Sequence, residues 1–141
     1  MIDAKPLEDS VAVRSQLLPG DMEGAAREGF RSVINNRPDG EEAGQPTSAE
    51  IEAAARAAGL EYRHIPMVPG ELSEKLIAAH RAALETLPEP VLAFCRTGTR
   101  STMLWGCVRA AELGVDEVMG AAAHAGYDLA QMRPLFAKLA G

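Results

Sequence analysis

The chain is poor in aromatics, lysine and cysteine. Its 141 residues include three Phe, two Tyr and one Trp, three Lys, and only Cys95 and Cys107. Two cysteines cannot make a disulfide framework. No basic n-region or apolar stretch of signal-peptide kind opens the sequence, and no apolar run approaches the ~20 residues that span a bilayer. A cytoplasmic protein with reduced thiols is therefore expected, without membrane contact. A basic excess is also missing: 14 Lys and Arg stand against 20 Asp and Glu, a net charge of −6. That balance argues against a nucleic-acid binder, which needs a basic face. His64, His80 and His124 lie far apart, without ligand spacing to a Cys or an acid, so no metal and no cofactor are expected.

What remains is ordinary globular material. Hydrophobic residues make up 47% of the chain and charged residues 24%, and one domain spanning residues 1–141 fits the usual range. Eleven of the fourteen bases are Arg, the residue suited to gripping oxyanions with a planar fork.

Glycine and proline punctuate the rest. Val11–Val13 reads as a strand, and a helix over about Asp21–Glu28 stops at Gly29. Phe30–Asn35 is strand-like and runs into turn chemistry (NRPDGEEAGQPT). Thr47 and Glu50 form a capping box for a helix that Gly59 closes. Glu61–Ile65 alternates like a strand, and Pro66–Gly70 is a loop. A helix over Leu72–Thr86 carries the stripe Leu72, Leu76, Ala79, Ala83 and Leu87. Val91–Phe94 is a short apolar strand of the covered kind. It leads through Cys95–Arg100 into a helix ending near Leu113, before helical stretches at Val118–His124 and Asp128–Leu139. Strand and helix alternate four times, which predicts an α/β fold: a small, largely parallel central sheet with helices on both faces.

In such sheets ligands bind beyond the carboxyl ends of the strands, and Cys95 stands at one. The helix N-terminus, Arg96 and Arg100 all favour a thiolate there. Gly98 lets the turn curl tightly, and Thr97, Thr99 and Ser101 offer hydroxyl donors. The same cradle suits an oxyanion in line with the sulfur, with the fork of Arg100 turned back to grip it. A buried core thiol is the alternative for Cys95, disfavoured by its polar, arginine-rich neighbours. Cys107 falls on an apolar helix stripe, too far from Cys95 for a disulfide, and reads as core. Asn36, Arg37, Asp39 and Glu41 follow another strand and should lie beside the Cys95 loop. There Asn36 and Arg37 are candidates to hold substrate. Asp39 or Glu41 is a candidate acid, or a brace for Arg96 or Arg100. A plain turn is the competing reading. His64 and His80 read as strand and helix-surface residues, and Trp105 as packing or pocket rim.

The run Cys95-Arg96-Thr97-Gly98-Thr99-Arg100 resembles the rhodanese signature C-R-x-G-x-[R/T]. It is also similar to a shortened tyrosine and dual-specificity phosphatase loop, H-C-x5-R, with Phe94 in place of the His and Ser101 where that Arg would stand. Together with Phe30–Thr47 and Tyr62–Gly70, it resembles the DUF442 family, the beta-lactamase-hydrolase-like phosphatase-like domain. The resemblance implies a dual-specificity-phosphatase-like fold, a Cys nucleophile, and either phosphatase or sulfurtransferase activity. Family members also occur fused to a metallo-β-lactamase-fold persulfide dioxygenase, which for this chain would be a separate partner.

A phosphatase needs an acid to protonate the leaving alkoxide. The Pro66–Gly70 loop has no Asp, which leaves Glu71 just beyond it, or Asp39. Sulfur transfer through a Cys95 persulfide needs no such proton, so a rhodanese-type sulfurtransferase taking a small persulfide or oxyanion substrate is the leading expectation. A phosphatase with a phosphocysteine intermediate is the alternative. A non-catalytic module that senses anions or persulfides is a third.

Overall fold

The computed structural model describes all 141 residues. Five strands form one sheet: β1 (Lys5–Glu8), β2 (Val11–Arg14), β3 (Ser32–Asn35), β4 (Glu61–His64) and β5 (Val91–Phe94). Their spatial order is β1-β2-β5-β3-β4. Only β1 runs antiparallel, against β2, and the other pairings are parallel. The helices are α1 (Met22–Arg27), α2 (Ser48–Ala57), α3 (Glu74–Thr86), α4 (Thr99–Leu113), α5 (Val115–His124) and α6 (Arg133–Ala140). No helix is long and apolar enough to cross a membrane.

Alternation along the strands divides the core in two. Val11, Val13, Ile34, Val91 and Ala93 join the larger apolar cluster with α3 to α6. Ala12, Val33, Leu92 and Phe94 face the other way, with Met22 and Ala25 of α1 and Ile51 and Ala55 of α2. A strand covered on both faces needs apolar residues at every position, and β5 is buried throughout. The expected α/β fold with helices on both faces is the one observed.

Local signals account for several boundaries. Thr47 caps α2 by accepting from the Glu50 backbone N–H, while the Glu50 carboxylate accepts from Thr47 N at 3.0 Å. Helix α4 packs so closely on α6 that a Cβ on Gly106 would lie 2.4 Å from the Phe136 ring.

One element is additional to those expected, and one expectation is corrected. The antiparallel edge strand β1 was not anticipated; Lys-Pro-Leu-Glu has no strand pattern, and its order comes from pairing with β2. Glu8 at its end accepts from Trp105 Nε1 and, at 2.7 Å, from Arg109 Nε, which ties this edge to α4 and makes Trp105 a packing residue. The buried stripe of α3 is Ile77, His80, Ala83 and Leu84, rotated from the expected one. It places His80 in the core at 0% exposure instead of on the surface.

Candidate active site

Because β5 lies between β2 and β3, the loops that follow all three strands meet at one end of the sheet. Asn36 N donates to Phe94 O at 2.8 Å, and Gln16 N to Arg96 O at 3.2 Å. These bonds stitch the neighbouring loops to both ends of the Cys95 turn.

The turn itself is tight. Gly98 adopts φ +96°, a left-handed conformation that favours glycine. Its N–H donates to Cys95 Sγ at 3.1 Å, and its carbonyl accepts from Thr102 Oγ1 at 2.8 Å. Thr97 Oγ1 donates to Thr99 Oγ1 at 3.0 Å, so these two hydroxyls serve each other. Cys95 is fully buried.

Beside the turn is a cleft of about 340 Å³ lined by Arg37, Glu41, Glu42, Pro69, Arg96 and Arg100. Glu41 is its organising residue. Its two carboxylate oxygens meet the fork of Arg100 at 2.8 and 2.9 Å, and Oε1 also accepts from Arg37 Nε at 2.7 Å. Arg100 Nη1 donates further to Met67 O at 2.8 Å. The hydrogen bonds from Arg100 and then Arg37 hold the Glu41 carboxyl below its ordinary range, against an opposing effect of burial. Arg37 is 1% exposed and also donates to Glu42 and Gln16 at 3.0 and 2.9 Å. Burial disfavours its charge, but its bonds to Glu41 and Glu42 outweigh that and raise its pKa. Arg96 is exposed and makes no side-chain hydrogen bond or ion pair. Of the three guanidinium groups in the cleft, only that of Arg96 is free to meet an anion.

The expected site residues thus divide into groups. Cys95, Arg96, Thr97, Gly98, Thr99 and Arg100 share the turn, and Arg37 lies beside it. The fork of Arg100 is turned to Glu41 instead of towards the sulfur. Asn36 and Ser101, expected to touch substrate, are buried beneath the turn: Ser101 Oγ donates to Asn36 Oδ1 at 2.8 Å, and Asn36 Nδ2 donates to Ile65 O at 2.9 Å. Asp39 accepts from Ser48 N at 2.8 Å, at the start of α2. Glu71 is exposed on a turn closed by its own N–H to Val68 O, and its carboxylate makes no hydrogen bond or ion pair. Neither acid lines the cleft.

Sequence reasoning missed two residues. His80 lies under Asn36, with Nδ1 3.5 Å from Asn36 Nδ2 and Nε2 buried without a partner. Burial, aided by the charge of Arg109, pushes its pKa down to about 4. Tyr127, from the segment after α5, donates its hydroxyl to Thr97 O at 3.0 Å. Nothing local in the sequence marks either one. Cys107 is buried in α4, its pKa pushed up to about 11 by burial, as a core thiol should be.

Comparisons with known proteins agree with this architecture. Residues 3–112 match the profile of the family described as beta-lactamase hydrolase-like protein, phosphatase-like domain. A beta-lactamase hydrolase-like protein of Xylella fastidiosa strain Temecula1 is 36% identical over 125 residues, 87% of this chain and 29% of that protein. The chain therefore spans under a third of that relative's length. A candidate phosphatase from Neisseria meningitidis Z2491 superposes with a TM-score of 0.85 at 34% identity, covering 95% of this chain and 96% of its own. Tk-PTP in its active form shares the fold at a TM-score of 0.72 and 21% identity, covering 97% and 95%.

Proposed function

The chain belongs to the phosphatase-like domain family of beta-lactamase hydrolase-like proteins, and from that membership we propose that it is a cysteine-dependent phosphatase. Its substrates are small phosphate monoesters whose leaving group departs without a proton from the enzyme. The observation that carries this reading is the turn: a sulfur at the end of the central strand, met by the Gly98 N–H at 3.1 Å, next to the free fork of Arg96. Nothing in the comparisons supports the rhodanese-type activity expected from the loop signature and the missing acid in the Pro66–Gly70 loop.

Cys95 attacks phosphorus as the thiolate, the S–P bond forms as the P–O bond to the leaving group breaks, and water then cleaves the phosphocysteine to release phosphate. Backbone N–H groups and Arg96 face the charge on the phosphoryl oxygens. The leaving group decides the substrate. Glu41 is held ionised between two arginines, Asp39 is bonded at the start of α2, and Glu71 stands outside the cleft. With no acid placed to protonate an alkoxide, aryl phosphates and other esters of acidic alcohols turn over faster than alkyl phosphates.

The test compares p-nitrophenyl phosphate with an alkyl phosphate in the wild type and in Cys95→Ser. Turnover of the aryl ester only, lost in the variant and blocked by vanadate, supports the reading. No turnover of any ester, together with a Cys95-dependent gain of one sulfur by intact mass after thiosulfate, replaces it with sulfur transfer. An exchange of that kind also needs no enzyme acid.

A further inference from the structure

Gly98 and Tyr127 lie closer together than two unrelated residues need to. A Cβ built on Gly98 would sit 2.0 Å from the Tyr127 hydroxyl and 2.8 Å from Cζ of its ring. The phenol therefore rests on the bare backbone of the turn. Its hydroxyl is committed to the Thr97 carbonyl, the other end of the peptide unit whose N–H belongs to Gly98. That same N–H points at Cys95 Sγ. A hydrogen bond to the carbonyl of a peptide unit fixes the direction of its N–H, because the unit is planar.

Electrostatics runs along the same line. The Tyr127 hydroxyl is held above its ordinary pKa, first by burial and then by negative charge on Cys95. The segment that delivers Tyr127 lies between α5 and α6, beyond the residues that match the family profile.

We propose that Tyr127 is a positioning residue for the nucleophile: by holding the Thr97–Gly98 peptide unit, it aims the Gly98 N–H at the Cys95 sulfur. The C-terminal helices are then part of the active site's support and not only of the core. The phenol does no chemistry on substrate, since its proton is given to a carbonyl. This inference rests on Cys95 being the nucleophile, and its tests are chosen to need no turnover.

Tyr127→Phe keeps the ring and removes the one bond. It is expected to slow alkylation of Cys95 by iodoacetate at pH 7, followed on the Cys95 peptide by mass spectrometry, about 5-fold. The variant should lower kcat on an aryl phosphate by a similar factor with KM unchanged, while circular dichroism and Tm stay as in the wild type. A merely structural contact would not move the second readout. With Tyr62→Phe leaving Tyr127 as the only phenol, its absorbance titration should shift to lower pH when Cys95→Ser removes the neighbouring charge. It should still end above an ordinary phenol, because burial remains.

Gly98→Ala tests the other side of the contact. It should lose most Cys95 reactivity, and adding Tyr127→Ala should cost less than the two separate losses combined, since they share one clash. Alkylation at the wild-type rate in Tyr127→Phe, or a phenol titration indifferent to Cys95→Ser, overturns the proposal. Failure of every phosphate ester in the wild type sinks the phosphatase reading, while alkylation and the phenol titration still decide the role of Tyr127.

Discussion

Two loops meet at the carboxyl end of the sheet and use charge in opposite ways. The segment after β3 holds Arg37, Asp39, Glu41 and Glu42, and its polar groups are largely spent on the protein itself. Arg37 has three side-chain partners, Glu41 bonds to two arginines, and Asp39 takes a backbone N–H of α2. The turn after β5 is sparser. It brings one buried sulfur, one peptide N–H aimed at it, and one arginine, Arg96, without any partner. The charge count of a loop does not tell where a ligand binds. What matters is which charged group the fold leaves unpaired.

The sharpest way to break this comparison is at sulfur. Cys95→Ser should reduce turnover by about 10³-fold or more, since it removes the proposed nucleophile. Cys107→Ser, in the core, should leave kcat within about twofold. Equal losses in both would deny that the turn after β5 is the reactive one.

Next is the seam beneath the two loops, where Asn36 links Ser101 to His80. A buried His80 with pKa near 4 stays neutral in the fold, while the unfolded chain takes up a proton near 6.5. Stability is therefore fully present above about pH 6.5 and falls as the pH drops towards 4, by up to about 3 kcal/mol. Urea unfolding at intervals across that window measures the slope. His80→Leu should flatten it, most clearly above pH 4.5, where carboxylates contribute little. An unchanged slope in the variant assigns the effect elsewhere.

Glu41→Gln attacks the paired loop directly. It weakens the grip on Arg100 and leaves the nearly inaccessible Arg37 with one carboxylate fewer, so about 2 kcal/mol of stability should be lost. The urea midpoint would fall with no change in m. A midpoint equal to the wild type would mean that the ion-pair network holds nothing.

The free arginine gives a smaller, kinetic effect. Arg96→Gln should raise KM for an aryl phosphate about 5-fold and leave stability unchanged, because no bond within the protein is broken. Asp39→Ala should do the reverse on a still smaller scale: about 0.5–1 kcal/mol of stability, through the lost bond at the start of α2, with kcat unaltered. A large kcat loss in Asp39→Ala would return it to the role of general acid.

Much of this was legible in the residues because their signals are local. The Thr47–Glu50 capping box, the uniformly apolar Val91–Phe94 and the cysteine at its end each depend on a few neighbouring residues. The packing of the Asn35–Glu42 segment beside the Cys95 turn was likewise readable from strand-to-loop order. Contacts between distant parts of the chain were not. Strand β1 exists only against β2. The α3 stripe is turned by what packs on it, which is why His80 was assigned to the wrong side. Tyr127 meets Thr97 across thirty residues with no periodicity to announce it. Arg100 illustrates the limit well: its presence in the turn is plain, but the sequence leaves Asp39 and Glu41 both open as its partner, and only the fold selects Glu41.

The sheet order has a consequence for how the molecule is assembled. The central strand β5 is the last of the five in sequence, and it inserts between β2 and β3, with Val91 opposite both Val11 and Ser32. Parallel partners so distant along the chain are brought together late and slowly, since loop closure must come before the contacts that compensate for it. Until β5 is in place, the loops that flank Cys95 have nothing to pack against. A nascent or partly folded chain thus carries the thiol without the cradle around it, and the site is complete only with the closing of the sheet. Recovery of aryl phosphate turnover during refolding should accordingly coincide with the final folding phase and not precede it.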